Sequence, residues 1–303
     1  MNKKIFILSV LCLIILTGCV ENKKEESNII DQIEKNDEQV LEYAYGGGIK
    51  DYNGETIVYD KEELEIPFHY FNDSNKLQVG LLIFINGIPQ MYSADDSDYK
   101  EYHIFDIDEK KSKEITLKLK PNIGKKGDNL NLNFVSVLNP VPVNSLVEYR
   151  FNHSINQPMG SNLHYFVDTN NEYIKAQKLA INETISSEDK KRYLNEDVQP
   201  QTNTLDDSVV VEVYQDDVLQ KDTLETNKLI KVKIAGYSGD YILYKVYDGI
   251  KVDPNGIYVS ANKDTYDVVE IDTLPDDIKN VYFILVPVDC EHFVVQSERL
   301  MVE

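Results

Sequence analysis

Two stretches decide the fold: "VGLLIFINGIPQMY", residues 79–92, and "DYILYKVYDGIKVD", residues 240–253. Each runs as an apolar, β-rich segment into Asn86-Gly87 or Asp248-Gly249, then out into a second short segment. Asn-Gly and Asp-Gly are the strongest short-range hairpin signals, because a type I′ turn needs positive φ at both central residues. The two stretches therefore read as hairpins at matching places in two copies of one unit. The signals downstream keep the same order. An alternating strand ends near a proline in "EITLKLKP" (114–121) and in "DVVEIDTLP" (267–275). A long apolar strand follows, in "LNLNFVSVLNPV" (130–141) and "NVYFILVPV" (280–288). The spacing is unequal, so the copies read as a divergent tandem repeat.

Between the hairpins the period of two persists. Leu130, Leu132 and Phe134 alternate with Asn131 and Asn133; Ile230, Val232 and Ile234 alternate with Lys231 and Lys233. Such alternation marks half-buried antiparallel strands. Many short strands, frequent turn residues and no sustained helical pattern predict an all-β protein built of sandwiches. The body resembles tandem Ig-like antiparallel β-sandwich domains at the level of fold. The predicted division is a first sandwich over 45–180, a linker over 181–207 and a second sandwich over 208–303. A short helix is expected near 186–194, capped by Ser186 or Ser187, with Glu188 and Asp189 in its first turn.

The N-terminus has a separate logic. Lys3 and Lys4 precede a run from Ile5 to Leu16 that is nearly all apolar, and Thr17, Gly18 and Cys19 follow. The run falls short of the roughly 20 residues of a spanning helix. It has the proportions of a secretory signal. "LTGC" resembles the lipobox of bacterial lipoproteins. The resemblance implies a signal peptide over 1–18, cleavage before Cys19, and a diacylated Cys19 as the new N-terminus. Leu16 and Gly18 take the family's −3 and −1 positions. Residues 19–44 then read as a flexible, charged tether, and the chain is expected on the outer face of a single-membrane envelope, held to the membrane by the lipid at Cys19.

The formal net charge is −21, with 52 acidic and 31 basic residues. Such a chain is repelled by nucleic acid. It has three cysteines. Cys12 lies in the signal and Cys19 carries the lipid, so Cys290 alone remains, and no intrachain disulfide is expected. Within "LVPVDCEHFVV" Cys290 reads as an inert, half-buried residue rather than a nucleophile.

No catalytic set emerges. His69, His103, His153, His164 and His292 have no zinc-site spacing. No Gly-x-Ser-x-Gly elbow is present. The chain is read as a non-enzyme without cofactor or resident metal. The densest carboxylate group is Asp95, Asp96, Asp98 and Glu101 in "SADDSDYKEY", flanked by Tyr92, Tyr99 and Tyr102. An acidic loop at a sandwich end has calcium's ligand chemistry, against the plainer reading of solvated charge. In "DYILYKVYDG" alternation puts Tyr241, Leu243, Lys245 and Tyr247 on one face and Ile242, Tyr244 and Val246 on the other. Tyr241 and Tyr247 are expected on an outer face. These two tyrosines and the four acids form the candidate ligand-binding set. The expected partner is an envelope component, a glycan or a host protein. The rival readings are a hydrolase or hydrolase accessory, which needs a cleft with two close carboxylates, and a structural spacer that binds nothing.

Overall fold

The structure, a computed structural model, describes residues 44–142, 155–169, 176–193, 204–271, 273–288 and 292–303. The signal segment, residues 19–43 of the tether, His153 and Cys290 lie outside them. The first half is built of β1 (Tyr45–Ile49), β2 (Ile57–Tyr59), β3 (Leu64–Asn72), β4 (Leu77–Ile85) and β5 (Ile88–Pro89). It continues with β6 (Tyr92–Ala94), β7 (Tyr102–Ile107), β8 (Lys111–Leu119), β9 (Asn129–Leu138) and β10 (Ile155–Tyr165). The second half opens with β11 (Ile181–Thr184), helix α1 (Ser187–Arg192) and the short helix α2 (Thr204–Asp207). Then come β12 (Val209–Gln215), β13 (Val218–Leu219), β14 (Thr223–Leu224), β15 (Ile230–Gly236), β16 (Gly239–Tyr247) and β17 (Lys251–Val252). The chain closes with β18 (Ile257–Ala261), β19 (Thr265–Ile271), β20 (Asn280–Pro287), β21 (Val295–Gln296) and β22 (Leu300–Val302).

These strands make two Ig-like, mainly antiparallel sandwiches in tandem. In the first, the sheet β1-β3-β8-β6 packs on the sheet β2-β10-β9-β4-β5, where β7 also pairs with β4. In the second, β11-β19-β15-β12-β13 packs on β14-β22-β20-β16-β17, where β18 also pairs with β16. The order β2-β10-β9-β4 matches β14-β22-β20-β16 strand for strand, down to the parallel pairs β2/β10 and β14/β22. This is the duplication the hairpins announced. Both turns have the required geometry: φ is +44° and +76° at Asn86-Gly87, and +45° and +96° at Asp248-Gly249.

Each sandwich has its own core. Phe68, Tyr70, Leu81, Leu117 and Phe134 anchor the first, and Val232, Ile234, Leu243, Val269 and Phe283 anchor the second. A third apolar cluster joins them. Leu82, Phe84, Ile88, Val135 and Val137 of the first copy pack with Tyr244, Val246, Ile250, Ile284 and Val286 of the second. Counting from the two turns along the registers β4/β9 and β16/β20, these are the same five positions in both copies. The facing sheets therefore meet through equivalent faces, back to back, and β4, β9, β16 and β20 are covered on both sides. The Tyr244 hydroxyl donates to the Gly87 carbonyl at 2.9 Å, and Asn131 Nδ2 donates to the Val288 carbonyl at 3.2 Å. Each large side chain buried in such a cluster contributes about 1.5–3 kcal/mol. The two sandwiches accordingly belong to one compact unit, Tyr43–Glu303.

The stretch expected to link the domains carries structure of its own. β11 pairs with β19 as a strand of the second sandwich. Helix α1 starts where its cap predicts: Ser186 Oγ accepts from the Asp189 amide at 3.0 Å, with Glu188 and Asp189 in the first turn. Ile185, Tyr193 and Leu205 pack on Ala235, Tyr266 and Val268. Arg192 reaches Glu212 at 2.9 Å, and the Tyr193 and Tyr214 hydroxyls both donate to the same Glu212 oxygen. Burial first, then the contacts with Tyr266 and Glu212, push the Tyr193 phenol up. These hydrogen bonds fasten the helix to the sheet.

Candidate functional site

The acidic loop connects β6 to β7. Asp95 and Asp96 both have positive φ, +51° and +63°, a conformation that short polar Asp tolerates better than most residues. Asp95 donates its amide to the Thr116 carbonyl at 3.0 Å, and its carboxylate accepts from the Thr116 amide at 2.8 Å. It thus ties the loop to β8. Asp96 forms an ion pair with Lys118, which also lies 3.6 Å from Glu65. The hydrogen bond to Asp96 is the main cause of the rise in the Lys118 pKa. Two of the four candidate acids are thus occupied in holding the loop, while Asp98 and Glu101 stand exposed. Among the described residues, no group of three or more His, Cys, Asp or Glu side chains comes together as a metal would require.

Beside the loop lies an open hollow of about 600 Å³, lined by Met91, Tyr99, Lys100, Glu101, Tyr102, His103 and Ile104. Its walls are firmly placed. The buried Tyr92 hydroxyl donates to the Leu81 carbonyl at 2.7 Å and accepts from the His103 amide at 3.1 Å. The His103 ring reaches the Tyr92 carbonyl at 2.9 Å. The Tyr99 hydroxyl donates to Glu63 at 2.5 Å, and Lys120 lies over the Tyr99 ring. Burial and then the Glu63 carboxylate push the Tyr99 phenol above its ordinary value. Met91 and Ile104 are 52% and 42% exposed. The hollow is therefore lined by exposed apolar Met91 and Ile104 together with the charged neighbours Lys100 and Glu101.

The tyrosine half of the candidate set is elsewhere, and its expected exposure is corrected. Tyr241 is 0% exposed and Tyr247 6% exposed, both in the core of the second sandwich. Tyr247 donates to Asp253 at 3.3 Å. The alternation was read correctly, but both sets of side chains are covered: Tyr241, Leu243 and Tyr247 fill the sandwich, and Ile242, Tyr244 and Val246 fill the contact between copies. A ring without surface offers none to a ligand. The loop Asp95–Glu101 and the pair Tyr241 and Tyr247 do not come together. Met91 and Ile104 were missed because a lone Met after a hairpin and an Ile in a strand carry no signal until the pairing of β7 is known.

No family model matches this chain, and no curated protein matches it. Among solved structures, it has a likeness to the YadV chaperone, at 8% identity and a TM-score of 0.23 over 83% of this chain and 98% of that one. The E. coli chaperone DraB gives 12% identity and a TM-score of 0.26, covering 86% and 98%. A Salmonella enterica SafA pilin–SafB chaperone complex gives 9% and 0.27, covering 85% and 97%. At these TM-scores the likenesses bear on neither the fold nor the function of this chain.

Proposed function

We propose that this chain is a lipid-anchored surface lipoprotein whose two fused sandwiches hold a non-enzymatic binding site for a protein ligand away from the membrane. Cys19 is the anchor, and the tether sets the body outside the envelope. The observation that carries the binding reading is the hollow beside β7. It exposes Met91 and Ile104 in a chain of net charge −21, and the loop at its rim is pinned rather than loose. Neighbouring apolar side chains exposed together inside a polar rim are one mark of an interaction surface. The spacer reading draws on the same architecture, since the shared apolar cluster makes the body stiff.

In-cell photo-crosslinking separates the two. A photoreactive residue at Met91 is expected to capture one discrete protein, while the same residue at exposed Lys61 is not. Equal, diffuse labelling at both positions would sink the binding reading and leave the spacer.

A further inference from the structure

The duplication supplies an internal comparison. In the second copy the strand beside β16 is β18; in the first copy the strand beside β4 is β7. Registers place Leu243 opposite Ile257 and Leu81 opposite His103, so Tyr258 corresponds to Ile104 and Gly256 to Tyr102. The outer edge of β18 is not bare. Gln177 lies along it in a parallel bridge to Ile257. The Tyr258 amide donates to the Gln177 carbonyl at 2.8 Å, and the Gln177 amide to the Gly256 carbonyl at 3.3 Å.

In the first copy no described residue lies along the same edge. Among the described residues β7 pairs with β4 alone. The direction of its backbone groups follows from Tyr92, whose hydroxyl bridges the His103 amide to the Leu81 carbonyl. His103 therefore faces β4. Because the peptide groups of a strand alternate, Tyr102 and Ile104 present theirs outward, into the hollow. An edge strand usually carries lysine, proline or a bulge against unwanted pairing. "YHIFDI" has no lysine and no proline, and its pairing with β4 runs without a register break.

Resting on the binding reading above, we infer that the first sandwich takes its ligand as an extended peptide strand, added parallel to β7, with apolar side chains alternating with basic ones. Strand addition supplies main-chain hydrogen bonds, and alternate side chains supply specificity. The Ile104 amide and Tyr102 carbonyl take the roles that Tyr258 and Gly256 play for Gln177. An apolar side chain on one side of the added strand covers Met91 and Ile104. Basic side chains on the other meet Asp98 and Glu101, both exposed.

The test is selection of displayed random dodecapeptides on the full detergent-solubilised chain, followed by amide hydrogen exchange. Enriched peptides are expected to alternate apolar and basic residues and to slow exchange across 102–106. Met91→Glu should weaken them by at least about tenfold. Ile104→Pro should abolish binding while leaving the melting temperature near wild type, because an outward-facing edge amide is the place a sheet tolerates proline. The inference is overturned by no enrichment, by peptides that leave 102–106 unprotected and bind both variants as wild type, or by protection that appears without peptide as the chain is concentrated, which would assign the edge to a second copy. A partner captured at Met91 in cells while 102–106 stays unprotected would refute the strand mode and leave the binding module standing.

Discussion

The contact between the copies can be tested at one atom. Gly80 lies mid-strand in β4 with ordinary backbone geometry, and a Cβ built there would sit 2.1 Å from Ile250 Cδ1 and 3.0 Å from Pro140 Cβ. In a strand with no such neighbour, Gly→Ala stabilises by about 0.4–1 kcal/mol through the unfolded chain. Here the added methyl meets the second sandwich, and overpacking of this kind costs about 1–3 kcal/mol. Gly80→Ala is therefore expected to destabilise by roughly 1–2 kcal/mol, the opposite sign to the free-strand case. Ile250→Ala alone removes buried side chain and should cost about 2–5 kcal/mol. Together the two changes relieve one another, because the alanine methyl enters space that Ile250 vacated. The double variant should be more stable than the sum of the singles by about 1 kcal/mol or more, as for residues in contact. Urea titration of the full chain, followed by tyrosine fluorescence and far-UV dichroism, measures all four corners of the cycle. A stabilising Gly80→Ala, or additivity within about 0.5 kcal/mol, refutes the back-to-back packing.

Three further outcomes follow from single contacts. Ser186→Ala removes the oxygen that accepts the Asp189 amide; it should cost the helix about 0.5–2 kcal/mol, read as faster hydrogen exchange over 187–193 with β-strand protection unchanged. Asp253 lies 2.8 Å from Lys245. Burial alone would raise its pKa, but the hydrogen bonds from Lys245 and Asn255 outweigh that and hold it below the ordinary value of 3.8. A depressed folded pKa gives stability that is present above 3.8 and lost as pH falls through the folded value, so the gap in urea midpoint between wild type and Asp253→Asn should be constant at neutral pH and close only below about 3.8. A gap that closes between pH 5 and 7 would be the wrong sign. Cys19→Ala should leave unprocessed precursor that no longer partitions into detergent as a lipoprotein, because the thiol is the acyl acceptor.

Much of the fold was legible because its signals are local. Asn86-Gly87 and Asp248-Gly249 mark their turns through positive φ, and Ser186 marks a helix start through its hydroxyl. Strand faces followed from alternation at Ile115, Leu117 and Leu119, all buried. The solvent exposure of β16 did not follow, because alternation says which residues share a face and not whether the face is covered. A hint lay in composition: "GLLIFI" and "VYFILV" are continuous apolar runs, the pattern of strands buried on both sides. Of the candidate site, the loop Asp95–Glu101 was legible as charge density. Its neighbour β7 was not legible as an edge, because edge status depends on which distant strand fails to pair with it.

The copies pack through equivalent positions, but they are not interchangeable, and the differences explain why the pairing is internal. Where the first copy has Gly80, the second has Ile242. Gly80 leaves room for Ile250, and Ile242 lies 3.1 Å from where a Cβ on Gly87 would stand. A first-copy face set against another first-copy face would lose the larger partner at this position and open a void. A second-copy face set against its like would drive Ile242 into the place where even one methyl lies too close to Ile250. Cavity and overpacking each cost on the order of 1–5 kcal/mol, so only the unlike pair closes without either. The same divergence that locks the two faces together has left unlike edges: among the described residues, Gln177 lines β18 and nothing lines β7. A duplicated body that spends its equivalent faces on itself has only its unequal parts left to offer a partner.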